Sequence, residues 1–384
     1  MLHSIALTFI PGLSATQQAE ILRHVTDAER VITHPREALA DVCAAQYAAV
    51  CQAIEDGRSA ALQRAREEME FCTRHSVEVI PITSERYPTR LRDCPDAPPV
   101  IYYCGTADLN AGHVIAIVGT RHITEYGKQC CRRLTEEMAR LLPDTLIVSG
   151  LAYGVDIHAH RGAMEQGMPT VAVVAHGLDQ IYPASHHNDA RRMTARGGIV
   201  TEYVRGTAPL QGNFLRRNRI VAGMADAVIV VESASHGGSL VTARIANSYQ
   251  RSVFAVPGRI NDPYSAGCNK LIATQKADAV LTAEDIVRSM GWWEETTAYK
   301  AQNQQLTLFD DFAPTAPAAD TALSGLTAAQ QKIARALQGT DGLSVKSIAE
   351  RTGLKPGDIT SELFDMEMDD VVSILPGDLY RLTK

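Results

Sequence analysis

The stretch Leu146-Ile147-Val148-Ser149-Gly150-Leu151-Ala152-Tyr153-Gly154-Val155-Asp156 decides the fold class. A short apolar run stops at a glycine-bounded turn, and a helical pattern follows. The same unit repeats outward in both directions. Apolar runs at Val114–Val118, Thr170–Val174, Ile199–Thr201, Ala227–Val231, Val253–Val256 and Ala279–Leu281 alternate with helical patterns such as Gly127–Leu142 and Leu240–Gln250. Strand, helix, strand, repeated, predicts a parallel sheet covered on both faces: the doubly wound α/β class.

The flanks read differently. Residues 1–75 are helical in pattern. Ile10-Pro11-Gly12-Leu13-Ser14 leads into a helix with Ser14 as expected N-cap, and Gln46–Arg74 is a second long helical stretch with Gly57 as a candidate break. The doubly wound segment is expected over 76–295. Residues 296–320, with Gln302, Gln304, Gln305, Pro314 and Pro317 among alanines and acids, read as a linker. In 321–384, helical stretches at Thr327–Gln338, Ser344–Arg351 and Lys355–Asp369 precede a hairpin of Val371–Leu375 and Leu379–Leu382. Three helices and a hairpin make winged-helix order.

Composition narrows the function. The 384 residues are 45% hydrophobic and 21% charged, an ordinary globular balance. Lys+Arg 37 against Asp+Glu 44 gives a net charge of -7, so a bulk-basic coat is excluded and any polyanion site must be local. No run approaches the roughly 18 apolar residues of a membrane helix, and the start has neither a basic n-region nor a small-residue cleavage site. The eight cysteines form no CxxC pair and none has a histidine at zinc-finger spacing. Reduced thiols in the cytoplasm are expected, with no metal and no cofactor.

Ligands of a doubly wound sheet sit beyond the carboxyl ends of its strands. Val118 runs into Gly119-Thr120-Arg121, Val148 into Ser149–Gly154, and Val231 into Glu232 and then Gly237-Gly238-Ser239-Leu240. Glycine lets backbone N–H groups approach an anion, and a helix N-terminus adds unpaired donors. Ser149–Gly154 and Gly237–Leu240 are therefore candidate phosphate seats with Arg121 nearby. For either loop alone, a tight packing turn is the competing reading. Neither is GxxxxGK[ST], nor GxGxxG followed by the acid of a dinucleotide site, which disfavours an NTPase motor and an NAD enzyme.

Phe214-Leu215-Arg216-Arg217-Asn218-Arg219 is the strongest local feature. Arginine pairs bidentately with phosphate and phenylalanine can stack on a base, the two demands of single-stranded nucleic acid. On a helix, Arg216 and Arg219 share a face. The structural alternative pairs these arginines with acids of the same domain and buries Phe214. No catalytic set assembles. Asp156 and His158 could act as acid and base, though a capping Asp and an exposed or satisfied His is the favoured reading. His186, His187 and Asp189 lack a third ligand at zinc spacing. Glu232 stands at a strand end without an identifiable partner.

Taken together, these loops resemble the DprA (Smf) family of DNA-processing proteins. The resemblance rests on Gly119-Thr120-Arg121, Ser149–Asp156, Gly177 with Asp179 and Tyr182-Pro183, Phe214 with Arg217-Asn218-Arg219, Glu232, Gly238–Ala243, Val256-Pro257-Gly258, and Gly267 with Asn269 and Leu271-Ile272. It runs in order over roughly residues 80–290. Residues 1–75 are similar to the helix-hairpin-helix, SAM-like domain that precedes the Rossmann-like domain in many members, and the tail resembles their winged helix.

The resemblance implies a non-enzymatic protein. Such a protein binds single-stranded DNA without sequence preference, as a homodimer. It loads a RecA-type recombinase onto DNA coated with single-strand-binding protein during natural transformation. It implies phosphate contacts at Gly119, Thr120, Arg121, Ser149, Gly150, Gly154, Gly238 and Ser239, base stacking by Phe214, and a frame of Arg217, Asn218 and Arg219. Three departures from the family pattern stand out: Leu215 where a Pro is common, Gln211 where a basic residue is common, and Gln275-Lys276-Ala277 where Gly-Ala usually follows Leu-Ile. Arg216 is expected to replace the missing charge.

Two further expectations concern partners. Gln305-Leu306-Thr307-Leu308-Phe309 resembles the peptide by which bacterial proteins bind the sliding clamp; docking on the chain itself competes. The tail has 7 basic against 9 acidic residues, with Glu362, Asp365, Glu367, Asp369 and Asp370 on its recognition-helix stretch. A protein-docking role, not duplex binding, is expected. The enzymatic alternative is a lysine-decarboxylase-like phosphoribohydrolase, but Ile245 stands where the catalytic Glu of that family falls.

Overall fold

The computed structural model describes residues 1–41, 47–297, 299, 326–340, 342–368, 371–375 and 379–382. The chain divides into two compact units, Met1–Gln305 and Leu306–Lys384.

The first unit begins with five helices: α1 (Leu2–Thr8), α2 (Ala15–His24), α3 (Ala28–Thr33), α4 (Pro35–Ala38) and α5 (Tyr47–Arg74). Ser14 caps α2 through a reciprocal capping box with Gln17. Helix α5 runs unbroken through Gly57, contrary to the expected break. A Cβ at Gly57 would lie 3.0 Å from Pro11 Cδ, so the glycine admits close packing against the turn before α2.

Nine strands follow: β1 (Glu78–Pro81), β2 (Val100–Gly105), β3 (Val114–Val118), β4 (Leu146–Ser149), β5 (Thr170–Val173), β6 (Gly198–Thr201), β7 (Ala227–Val230), β8 (Ser252–Ala255) and β9 (Asp278–Ala279). They form one sheet in the order β1-β2-β6-β5-β4-β3-β7-β8-β9. The seven expected strands, β3 to β9, pair in parallel. The sequence pattern had not assigned β1 and β2, which extend the β6 edge antiparallel. The helices between are α6 (Thr89–Arg92), α7 (Glu125–Leu141), α8 (Val155–Glu165), α9 (His187–Met193), α10 (Gln211–Met224), α11 (Gly238–Ser248), α12 (Ala266–Ala273) and α13 (Ala283–Ser289).

Alternation along each strand feeds two cores. Ile115, Ile117, Ile147 and Ile229 pack with Leu134 of α7, Ala159 of α8 and Ile286 of α13. Val114, Ala116, Val118 and Val148 face the other way, towards Ile220 of α10. Ile5, Leu22 and Ile54 of the N-terminal helices belong to that second cluster, along with Val100 and Ile101 of β2. The expected boundary near residue 75 therefore separates elements that share one core. Each such Ile or Leu contributes roughly 1.5–3 kcal/mol over leaving it in water.

Strand order reverses at β3: β4, β5 and β6 lie to one side, β7, β8 and β9 to the other. The connections beyond β3 and β7 diverge there and leave a crevice at the carboxyl ends.

The second unit contains α14 (Ala328–Leu337), β10 (Leu343–Ser344), α15 (Val345–Thr352), α16 (Pro356–Met368), β11 (Val372–Leu375) and β12 (Leu379–Leu382). The strands pair antiparallel in the order β10-β12-β11. Ile333, Leu337, Ile348, Ile359, Leu363 and Val372 form its core. Thr327 and Ser344 cap their helices as expected. Helix α16 leaves Phe364 62% exposed beside exposed Asp365. The clamp-like stretch Gln305–Phe309 lies outside the described residues. No helix among the described residues is long and apolar enough to cross a membrane.

Candidate functional site

The crevice at the strand-order reversal is a cleft of about 630 Å³. Loops and three helices, α8, α10 and α11, line it. Gly119–His122 follow β3, Gly150 and Ala152 follow β4, Tyr182 follows β5, and Ser233 and His236–Ser239 follow β7. Helix α10 contributes Gln211, Phe214, Leu215 and Asn218, residues three and four apart that share one helical face.

Phe214 stands half-exposed beside a cation and a second ring. The exposed Arg121 guanidinium sits 5.2 Å from its centroid, and the Tyr182 ring centroid lies 5.7 Å away. Arg121 and Phe214 thus bring a phosphate-binding cation and a half-exposed aromatic ring into one cleft.

Arg217 is placed beneath this pair and is buried. Its guanidinium donates to Gly150 O at 2.7 Å and to Val173 O, tying the loop after β4 to the end of β5. Asp156 is its buried counter-charge, and the two bracket Gly150: a Cβ there would lie 2.5 Å from both side chains, so a larger residue would have to displace the pair. Burial pushes the Asp156 carboxyl up, and Arg217 pulls it back down. Asp156 Oδ2 also accepts from Ala152 N–H at 3.3 Å. Asp156 is thus occupied within the fold, and His158 Nδ1 donates instead to Gly154 O at 2.8 Å. The candidate acid–base pair is not assembled.

Several expected contacts take other roles. Ser149 is fully buried, and its hydroxyl donates to Ile117 O at 2.6 Å. Gly154, buried at φ 77°, shapes the path of the chain beside Thr120 and Arg121. Ser239 is buried and its hydroxyl donates to Ser233 Oγ at 2.9 Å, whereas Gly238 is exposed. Arg219 forms a buried ion pair with Glu202 and does not line the cleft. Arg216 is exposed, and its charge also acts on Glu202. The helical spacing that puts Arg216 and Arg219 on one face turns that face away from the cleft. Gln211 lines the cleft itself, so Arg216 does not stand in for a cation at that point.

Glu232 is a structural acid. Its carboxylate accepts from Thr124 N–H at 2.9 Å and from the Thr124 hydroxyl at 2.5 Å, at the start of α7. Its own carbonyl accepts from Thr120 N–H at 2.7 Å, holding the Arg121 loop to β7. His186 Nδ1 donates to Leu151 O, and Asp189 pairs with Arg161. Among the described residues, no three His, Cys, Asp or Glu side chains group as a metal site.

Sequence reading assigned no role to Tyr182, His122 or His236, all of which line the cleft. The available signal was position alone: each follows a strand that ends at the crevice.

Residues 78–291 match the family model of DNA recombination-mediator protein A, and residues 315–378 match the DprA winged helix domain. The chain belongs to the DprA/Smf family. Protein Smf of Escherichia coli is 34% identical over 315 residues, 80% of this chain and 78% of that protein. DNA processing protein DprA of Bacillus subtilis is 40% identical over 215 residues, 56% of this chain and 71% of its own. The X-ray structure of DprA from Streptococcus pneumoniae superposes with a TM-score of 0.64 at 29% identity, covering 75% of this chain and 97% of that one. A structure of DNA processing protein A from Helicobacter pylori, described for its single-stranded DNA binding mode, gives 0.51 at 31% identity, covering 56% and 96%. The winged-helix order read in the tail and the largely parallel sheet are both features of this family match.

Proposed function

We propose that this DprA/Smf chain binds single-stranded DNA without sequence preference and, as a homodimer, helps load a RecA-type recombinase onto DNA coated with single-strand-binding protein during natural transformation. The observation that carries the reading is the half-exposed Phe214 ring beside Arg121 and Tyr182 in the crevice. A base can stack there only if it is unpaired, which excludes an intact duplex. The exposed Gly237-Gly238 turn at the start of α11 offers backbone N–H groups to a phosphate, and Arg121 adds a cation.

The reading is binding without turnover. Both carboxylates nearest the crevice are engaged, Asp156 by Arg217 and Ala152, Glu232 by Thr124. The strand is held by phosphate and stacking contacts, and a dimer raises avidity by presenting two such clefts.

The test is fluorescence anisotropy with labelled single-stranded and duplex oligonucleotides across a salt series. Binding to the single strand alone is expected, weakening steeply with salt as counterions are released. Arg121→Ala should weaken binding and lower the salt slope by about one. Equal affinity for duplex, or no response to Arg121→Ala, refutes the reading.

A further inference from the structure

The single-stranded reading uses one stacking platform, Phe214. Two more aromatic rings stand in the open at the ends of neighbouring strands. Tyr182, after β5, is 42% exposed and lines the cleft, and Tyr153, after β4, is 48% exposed. A buried histidine stands behind each: one anchors the Tyr182 backbone, the other packs against the Tyr153 ring. His176 Nδ1 donates to Gly177 O at 2.8 Å, which leaves Nε2 to accept from Tyr182 N–H at 3.2 Å. Burial keeps that imidazole's pKa low and so favours the neutral form this arrangement requires. His186 Nδ1 donates to Leu151 O at 2.9 Å, and its ring meets Tyr153 edge-on with centroids 5.0 Å apart.

The two tyrosines are also close to each other. The Ser185 hydroxyl donates to the Tyr153 hydroxyl at 3.3 Å, and Ser185 is three residues beyond Tyr182, a reach of roughly 10 Å at most along the chain. Gly154, next to Tyr153, packs on the Arg121 backbone, so Tyr153 stands beside the residue whose guanidinium covers Phe214. All three rings therefore stand at the carboxyl end of the sheet, beyond β4 and β5.

We infer that Tyr182 and Tyr153 continue the stacking track begun by Phe214, so that a strand leaving the cleft lays successive bases across the ends of β5 and β4. This rests on the single-stranded reading and adds a minimum length to it: a lone nucleotide reaches one platform, and a run of unpaired bases reaches three. Stacking of this kind tolerates any sequence, because every base has a π-face.

The experiment uses the full chain and two labelled strands of equal length, oligo-dT and an abasic strand that keeps the phosphates and lacks the bases. Tyr182→Leu and Tyr153→Leu should each weaken dT binding roughly tenfold, leave abasic binding unchanged and leave the salt slope unchanged. Tyr182→Phe and Tyr153→Phe should bind dT like the wild type, which separates stacking from a structural role of the hydroxyls. Equal losses on both strands, or no loss on dT, overturn the inference. If the wild type binds both strands equally, stacking fails while phosphate binding stands. If it binds neither strand, the single-stranded reading fails and this inference with it.

Discussion

Arg217 braces the crevice from beneath, and its loss should be costly. In Arg217→Met the chain keeps a long apolar stem, but the donors to Gly150 O and Val173 O disappear. A buried acceptor left without a partner costs about 1–3 kcal/mol. Asp156, 8% exposed, also loses its buried counter-charge. Breaking one side of a buried charge pair costs about 3–5 kcal/mol. The two estimates overlap near about 3 kcal/mol, which is the expected destabilisation.

The deficit should depend on pH. Burial already raises the Asp156 carboxyl in the folded protein, so the group contributes stability below its ordinary pKa, and this is lost as pH rises through the folded value. Arg217 opposes that rise. Without Arg217 the folded value climbs further, and the variant goes on losing stability over an interval where the wild type no longer does. The deficit should therefore be larger at neutral pH than in mild acid. Chemical denaturation, followed by the fluorescence of Trp292 and Trp293 and by far-UV circular dichroism, measures it at each pH. A variant within about 0.5 kcal/mol of wild type at every pH, the range of ordinary surface changes, would refute the bracing role. So would a deficit that does not change with pH.

Phe214→Ala should weaken single-stranded DNA binding by about 1–3 kcal/mol with an unchanged salt slope, read by anisotropy. Glu232→Gln should cost about 1 kcal/mol of stability through the weakened start of α7, visible as a lower Tm. The isolated tail, residues 321–384, should give no shift of duplex DNA in a gel, because its third helix carries Asp358, Glu362, Asp365 and Glu367 around the exposed Phe364. An anisotropy titration of a peptide of residues 302–312 separates clamp binding from docking on the chain itself; absence of binding removes the clamp expectation.

Much of the fold was legible in short stretches. The runs at β3 to β8 are apolar and mostly β-branched, and each stops at a turn, so their strand character is set locally. Ser14, Thr327 and Ser344 were legible as caps because a cap is made within one turn of helix. The edge strands β1 and β2 were not. Val100-Ile101-Tyr102-Tyr103 carries the β-branched and aromatic residues of a strand, but its antiparallel pairing, Val79 opposite Tyr102 and Tyr103 opposite Val200, falls outside the repeating strand–helix unit that marks the rest of the sheet. The break expected at Gly57 failed for a similar reason, since the glycine answers to Pro11 in another element.

The residue types at the site were set by the sequence alone: glycine turns at strand ends, a cation after β3, and an aromatic residue leading an arginine cluster. These follow from composition and order, and they suffice to identify the family and a crevice for a phosphate chain. Which of those residues face the crevice was decided only by the tertiary structure. The rotation of α10 over the sheet points Phe214 and Asn218 into the cleft, sends Arg217 under the loop after β4, and turns Arg216 and Arg219 towards Glu202. The sheet register likewise turns Ser149 inward to Ile117 and leaves Tyr153 and Tyr182 outside. The physical reason is that a side chain's direction depends on how its element packs against others, and that packing minimises buried charge and maximises buried apolar area over the whole molecule.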